Sequence, residues 1–351
     1  MTPALEQLYA HQDLTGLQAE ELFTEIFNGQ TDPAVFASLL TALKMKGEAP
    51  QEIAGAAKAM VRAAVKFPRP EGIEVGEIVG TGGDGMKSIN VSTMSALAAA
   101  ANGLKIVKHG NRSISSQTGA SDLLSALGIN ITPTPEESAK LLAETGFAFC
   151  FAPLYHPAMR NVMPVRKALG TRTIFNILGP VTNPARPDYA VIGVYAPKLV
   201  VPIARTLREL GMKRAFVAHG CGFDEVSVQG VTDYAQLNDD GTITTGQFHP
   251  SDFGITTQYA IEDFRGGEPE ENARLALDIL SGRGKPAHTD MVCANLALLL
   301  VAGRKAASIE EGMKLARETL AEGKALKVIE AHRAFAQAKQ AADNQTCAKA
   351  S

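Results

Sequence analysis

Three short stretches concentrate the residues that could do chemistry: GTGGDG at 80–85, KHGNRSISS at 108–116 and CGFDEVS at 221–227. In the first, closely spaced glycines leave room for backbone N–H groups to approach a phosphate. Asp84 sits among them, and a carboxylate alone would repel such a ligand. In the second, a lysine, an arginine, an asparagine and three serines crowd together, and all can donate hydrogen bonds to an anion. In the third, Asp224 and Glu225 are adjacent carboxylates. Magnesium takes carboxylates, waters and phosphate oxygens together, and its presence inverts the local charge logic. Asp84 then becomes tolerable, as a holder of ligand hydroxyls or metal-bound waters. The ligand these stretches predict is a magnesium-chelated, hydroxyl-bearing polyphosphate.

The letters of 80–85 also satisfy G-x-G-x-x-G, the dinucleotide pattern. That reading requires a helix at once and an acidic residue at the end of the next strand. Here Met86 to Asn90 intervene, and the next strand runs into Lys108, His109, Gly110, Asn111 and Arg112. No acid is present, although Arg112 offers an NADP 2′-phosphate a partner. One anion site shared by two strand ends accounts for more of these residues. Ser92 and Thr93 open the Ala-rich run VSTMSALAAAANG, whose free N–H groups and helix dipole favour a phosphate.

These loops need a scaffold, and the chain supplies its signals. VGEIV, LKIV, YAVIGVY (189–195) and RAFVAHG (214–220) are short apolar strands, and helical runs ending in glycine separate them. Such alternation predicts an α/β protein with a mostly parallel central sheet. The first 66 residues look helical throughout. TGLQ at 15–18 is a capping box, Asp32-Pro33 an N-cap followed by proline, and Gly47 a stop. The expected organisation is a small helical domain over 1–67 and a larger α/β domain over 73–159 and 188–345. FPRPEG (67–72) links them, and 346–351 form a frayed tail. Residues 156–187 carry five prolines and several basic residues. They are expected to cross back to the helical domain, as a return segment over about 160–187.

With 351 residues, 45% hydrophobic and 20% charged, the chain is an ordinary globular protein in composition. A net charge of −3 argues against nucleic acid or an anionic membrane as partner. MVCANLALLLVAG (291–303) falls short of the ~20 residues that span a bilayer. Cys150, Cys221, Cys293 and Cys347 form no C-x-x-C pair and are expected as free thiols. MTPALEQLYAHQ has neither a basic leader nor an apolar core, so a cytoplasmic location is expected.

GTGGDG, KHGNRSISSQTGASD, MPVRKALGTRTIFNILGPVTNP and HGCGFDEVS, in this order, resemble the motifs of anthranilate phosphoribosyltransferases. The resemblance extends from the N-terminal helices to about residue 340. It implies a nucleoside phosphorylase/phosphoribosyltransferase-like fold and an enzyme of tryptophan biosynthesis. The implied reaction moves the phosphoribosyl group of phosphoribosyl pyrophosphate (PRPP) to the amine of anthranilate. Carried over by motif, Gly80, Gly83, Asp84, Ser88, Asn90, Val91, Ser92 and Thr93 would hold PRPP. Lys108, His109, Gly110, Asn111, Arg112, Ser113, Ile114, Ser115, Ser116 and Ala120 would surround its phosphates. Ala120 stands where many members have serine. Ser92, Asp224 and Glu225 would hold Mg²⁺, two ions per site. Gly80, Asn111 and Arg166 would contact anthranilate, with His109 beside it. His109 is the only candidate proton acceptor, and substrate positioning is its favoured role. The family also implies a homodimer joined through the helical domain and non-covalent contact with anthranilate synthase subunits. A pyrimidine nucleoside phosphorylase shares the two-domain plan, but the Arg166 segment and the acidic pair speak against it.

Overall fold

A computed structural model gives the protein's fold. It describes residues 2–112 and 117–350, with side chains from 3 to 341. Ser113, Ile114, Ser115 and Ser116 lie outside the described residues.

Four helices open the chain: α1 (Thr2–Tyr9), α2 (Gly16–Phe27), α3 (Pro33–Lys46) and α4 (Pro50–Arg62). The predicted signals set their ends. Thr15 and Gln18 form a reciprocal capping box, Asp32 accepts from Ala34 and Val35 N–H, and Gly47 ends α3 at φ 87°. The first helix, α1, precedes the earliest capping signal, at Thr15. Apolar faces of all four meet in one core with residues from the 160–187 stretch. Phe175 is the clearest link. Phe23, Phe27 and Phe36 ring it edge-on, with centroids 5.9, 6.3 and 6.1 Å away.

The remaining chain builds a seven-stranded sheet from β1 (Gly76–Gly80), β2 (Ile106–Gly110), β3 (Phe147–Phe151), β4 (Tyr189–Gly193), β5 (Arg214–Gly220), β6 (Thr232–Leu237) and β7 (Ile243–Phe248). Their order is β3-β2-β1-β4-β5-β6-β7, parallel through β5 and antiparallel beyond it. Strands β3, β6 and β7 go beyond the four the sequence suggests. The β6–β7 hairpin lacks a continuous apolar run because it is the solvated edge of the sheet, with β7 mostly exposed or half-buried.

Alternation along β4 shows how both faces are covered. Tyr189 and Val191 join the core of α5 (Val91–Ala101), whereas Ala190, Ile192 and Val194 join that of the N-terminal helices. The apolar run at 291–303 lies mostly within a helix, Pro286–Ala302, buried on nearly every side. The last helix, Lys324–Ala350, continues through the segment expected to fray. Ala, Lys and Gln favour helix, and neither Gly nor Pro stops the run. Cys150, Cys221 and Cys293 are free thiols. No described helix is long and apolar enough to cross a membrane.

Candidate active site

Parallel pairing puts the ends of β1, β2, β4 and β5 on one edge of the sheet, so the three chemistry-bearing stretches emerge side by side. In doubly wound sheets a ligand crevice opens where strand order reverses, here between β1 and β4. The Asp224 segment fills that position. A Cβ on Gly80 would lie 2.3 Å from Asp224 Oδ2, and one on Gly193 only 1.5 Å from the Asp224 carbonyl oxygen. A Cβ on Gly220 would lie 2.4 Å from the Glu225 carbonyl oxygen. Glycine at three strand ends therefore lets the acidic loop lie flat across the sheet edge. The Gly82 N–H donates to Asp224 Oδ2 and ties the two loops together.

Asp84 has a structural part in this knot. Its Oδ1 accepts from the Met86 N–H at 3.0 Å and its Oδ2 from the Asp224 N–H at 3.3 Å. Asp224 and Glu225 are 8% and 9% exposed, low enough that burial dominates their acidity. Burial, then the Asp84 and Glu225 charges, pushes the Asp224 carboxyl well above its usual range. Burial likewise raises Glu225 to about 8, against the pull of Lys108 and the Ser92 backbone. Lys108 is itself buried, and its Nζ donates to the Ile78 carbonyl at 2.8 Å and to Ser92 Oγ at 3.1 Å.

These carboxylates are under-compensated, which is the state a cation relieves. Among the described residues no three His, Cys, Asp or Glu side chains form a metal cage. Magnesium needs none, since it keeps several waters and is held by one or two carboxylates with substrate phosphates. The donor set of Asp224, Glu225 and Ser92 fits that habit.

His109 is 4% exposed and stands edge-on to His156, with ring centroids 4.9 Å apart. Burial pushes both imidazoles down, to about 4 and about 3, so both are neutral near pH 7. His109 Nδ1 lies 3.2 Å from the Gly179 carbonyl. A carbonyl only accepts, so the proton sits on Nδ1. Nε2 is left as a buried acceptor with no partner among the described residues.

Arg166, on the helix Met163–Leu169, is partly desolvated and lies 5.4 Å from the Phe175 ring centroid. No carboxylate partner accompanies it among the described residues. Other predicted residues are already engaged. Asn111 Oδ1 accepts from the Arg112 N–H at 2.8 Å, and Arg112 pairs with Asp122 at 3.3 Å. Asn90 donates to the Thr118 carbonyl and accepts from Asn272. Val91 is wholly buried in the core, and Thr93 is 1% exposed, its hydroxyl without a partner among the described residues. Ser88 makes an isolated bridge to Arg265, and Gly83, Gly110 and Ala120 are half-buried around the same edge.

Two residues the motif reading passes over also reach this edge. Arg172 donates to the Gly83 carbonyl and lies 4.2 Å from the Tyr195 ring centroid. Tyr195 N–H in turn donates to Thr81 Oγ1 at 3.0 Å. In the sequence Arg172 lies within the motif MPVRKALGTRTIFNILGPVTNP and the basic, Pro-rich stretch, but nothing there assigns it a contact.

A helical bundle beside a mostly parallel sheet, with phosphate-type loops at one edge, agrees with the two domains of a glycosyl transferase family. The family model described as "Glycosyl transferase family, helical bundle domain" matches residues 2–64, and "Glycosyl transferase family, a/b domain" matches 74–326. An anthranilate phosphoribosyltransferase of Aeromonas salmonicida (strain A449) is 51% identical over 321 residues, 92% of this chain and 94% of that one. The crystal structure of anthranilate phosphoribosyltransferase from Thermus thermophilus superposes with a TM-score of 0.88 at 40% identity. It covers 95% of this chain and 99% of its own. The Saccharomyces cerevisiae enzyme in complex with PRPP and Mg superposes at 0.85 with 30% identity, over 95% of this chain and 97% of its own. The chain belongs to the anthranilate phosphoribosyltransferase family.

Proposed function

We propose that this strand-end crevice transfers the 5-phosphoribosyl group of PRPP to the amine of anthranilate, releasing pyrophosphate, as a step of tryptophan biosynthesis. The observation that carries the reading is the meeting of Lys108, the glycine loop and the Asp224–Glu225 pair at the end of β1. In the reaction, the C1–pyrophosphate bond breaks as the C1–N bond forms, and oxocarbenium character builds on the ribose. Catalysis then rests on positioning and electrostatics. Glycine amides of 80–85, the Ser92 and Thr93 end of α5 and the Lys108–Ser116 loop orient the phosphates and ribose hydroxyls. Magnesium, when bound, neutralises the leaving group, and Ser92, Asp224 and Glu225 are the residues that would hold it, two ions per site. Arg166 pairs its guanidinium fork with the anthranilate carboxylate. Gly80 and Asn111 line the same substrate. His109 Nε2 accepts from the amine N–H and so aims the amine lone pair at C1, a positioning role.

The organisation proposed with it is a helical domain of 1–67 with the 160–187 return segment, facing the α/β domain across the crevice. A cytoplasmic homodimer joined through the helical domain, with non-covalent contact to anthranilate synthase subunits, completes the reading. The test follows anthranilate fluorescence with PRPP and Mg²⁺, using EDTA as control. Loss of fluorescence only with both present supports the reading. Turnover of a pyrimidine nucleoside with phosphate, and none with PRPP, would replace it by a phosphorylase.

A further inference from the structure

Strands β1 and β2 are paired only at their start. Gly76 N–H donates to the Lys105 carbonyl at 2.8 Å, and Gly76↔Ile106 is their single register pair, whereas β1–β4 and β2–β3 each run five pairs. A parallel ladder bonds alternate residues of one strand to its neighbour. The next bonds due are Ile78 N–H to the Val107 carbonyl and His109 N–H to the Ile78 carbonyl. Side chains stand in their place. The Val107 carbonyl accepts from Asn183 Nδ2 at 2.7 Å, and the His109 N–H donates to Glu77 Oε1 at 2.8 Å. The Ile78 carbonyl accepts from Lys108 Nζ at 2.8 Å. By strand alternation Glu77 enters from the face that carries His109, and Lys108 from the opposite face, where α5 lies.

All three side chains are buried, Glu77 completely. Burying charged groups inside a sheet is costly, and closing the ladder would satisfy the same backbone groups without them. The split also lies directly below the two loops that flank the crevice, GTGGDG and KHGN. We propose that Glu77 and Asn183 are positioning residues for the transfer reaction: they hold β1 and β2 apart and so set the spacing of the two phosphate-binding loops. Asn183 belongs to the return segment, so the same contact couples that spacing to the segment bearing Arg166 and Arg172. The inference rests on the crevice being the PRPP site, but its structural half is measurable without substrate.

The experiment compares Glu77→Ala, Asn183→Ala and Glu77→Gln with Ile203→Ala, a buried control in the core shared with the helical bundle. Backbone hydrogen exchange is read in a peptide spanning 106–112 with no ligand, and KM for PRPP and kcat are read separately. Glu77→Ala removes the acceptor of the His109 N–H and Asn183→Ala the donor to the Val107 carbonyl. Either loss leaves a buried backbone group of β2 unpaired and predicts exchange at least about tenfold faster and a similar rise in KM for PRPP, with kcat changing less. Glu77→Gln keeps the acceptor oxygen and should restore both. Exchange in 106–112 that is no faster than in Ile203→Ala overturns the positioning role, whatever the substrate proves to be. Faster exchange with KM unchanged overturns the link to the PRPP loops. If Glu77→Ala fails to fold, Asn183→Ala decides on the same two readings.

Discussion

Replacing Gly193 by alanine places a methyl group where the acidic loop runs. The new Cβ would stand 1.5 Å from the Asp224 carbonyl oxygen, 2.2 Å from its carbon and 3.0 Å from the Glu225 nitrogen. All three are backbone atoms, so no rotamer change relieves the clash. The loop must retreat by about 2 Å to reach ordinary contact distance. A displacement near 1 Å at a reacting site costs about 100-fold, so kcat/KM should fall at least about 100-fold, with a raised Mg²⁺ requirement. Overpacking of this kind costs about 1–3 kcal/mol of stability, too little to unfold the chain. Gly16→Ala is the control, because its Cβ meets Gln51 at an ordinary 3.4 Å, far from the site. Anthranilate fluorescence across a Mg²⁺ titration measures both variants. A Gly193→Ala enzyme with wild-type kcat/KM and magnesium dependence would refute the geometry argued for Asp224 and Glu225.

Arg166→Ala should raise KM for anthranilate about 10- to 100-fold, the worth of a charge-assisted pair, with KM for PRPP nearly unchanged. Equal effects on both substrates would remove Arg166 from the anthranilate site. Asp224→Asn should abolish magnesium-dependent turnover yet stabilise the metal-free protein. Burial and the Asp84 and Glu225 charges raise the Asp224 carboxyl in the folded state. A group raised in this way loses stability as pH climbs from its unfolded value through its folded one. The variant should therefore melt about 2–4 °C above wild type at pH 8 and level with it at pH 4; a lower Tm at pH 8 would contradict this. Asp32→Ala, which removes the acceptor for Ala34 and Val35 N–H, should cost about 1 kcal/mol in denaturant melts. It should leave both KM values alone, and a shift in either would show that the helical bundle acts on the site.

What the sequence makes legible is what is local. Thr15, Asp32 and Gly47 announce helix ends because capping is decided within a few residues. The glycine loop and the acidic pair stand out because their chemistry is unusual at any position. Contacts between distant segments are silent. Gly193 sits in an ordinary apolar strand, YAVIG, and only the later Asp224 loop makes glycine obligatory there. Glu77 interrupts an apolar run with no hint that a split ladder needs it. Arg172 reads as one more surface cation until its contact with the Gly83 carbonyl is seen. The β6–β7 hairpin hides for a different reason, since an edge with one solvated face carries little apolar signal.

Product stoichiometry tests the central claim most directly. Pyrophosphate released and phosphoribosyl anthranilate formed are quantified together by mass spectrometry, with PRPP and anthranilate supplied, and with Mg²⁺ or EDTA. Equal amounts of both products, and neither in EDTA, is the result expected of an Asp224–Glu225 magnesium site feeding a single displacement. Pyrophosphate release without the anthranilate adduct, or undiminished turnover in EDTA, would contradict it.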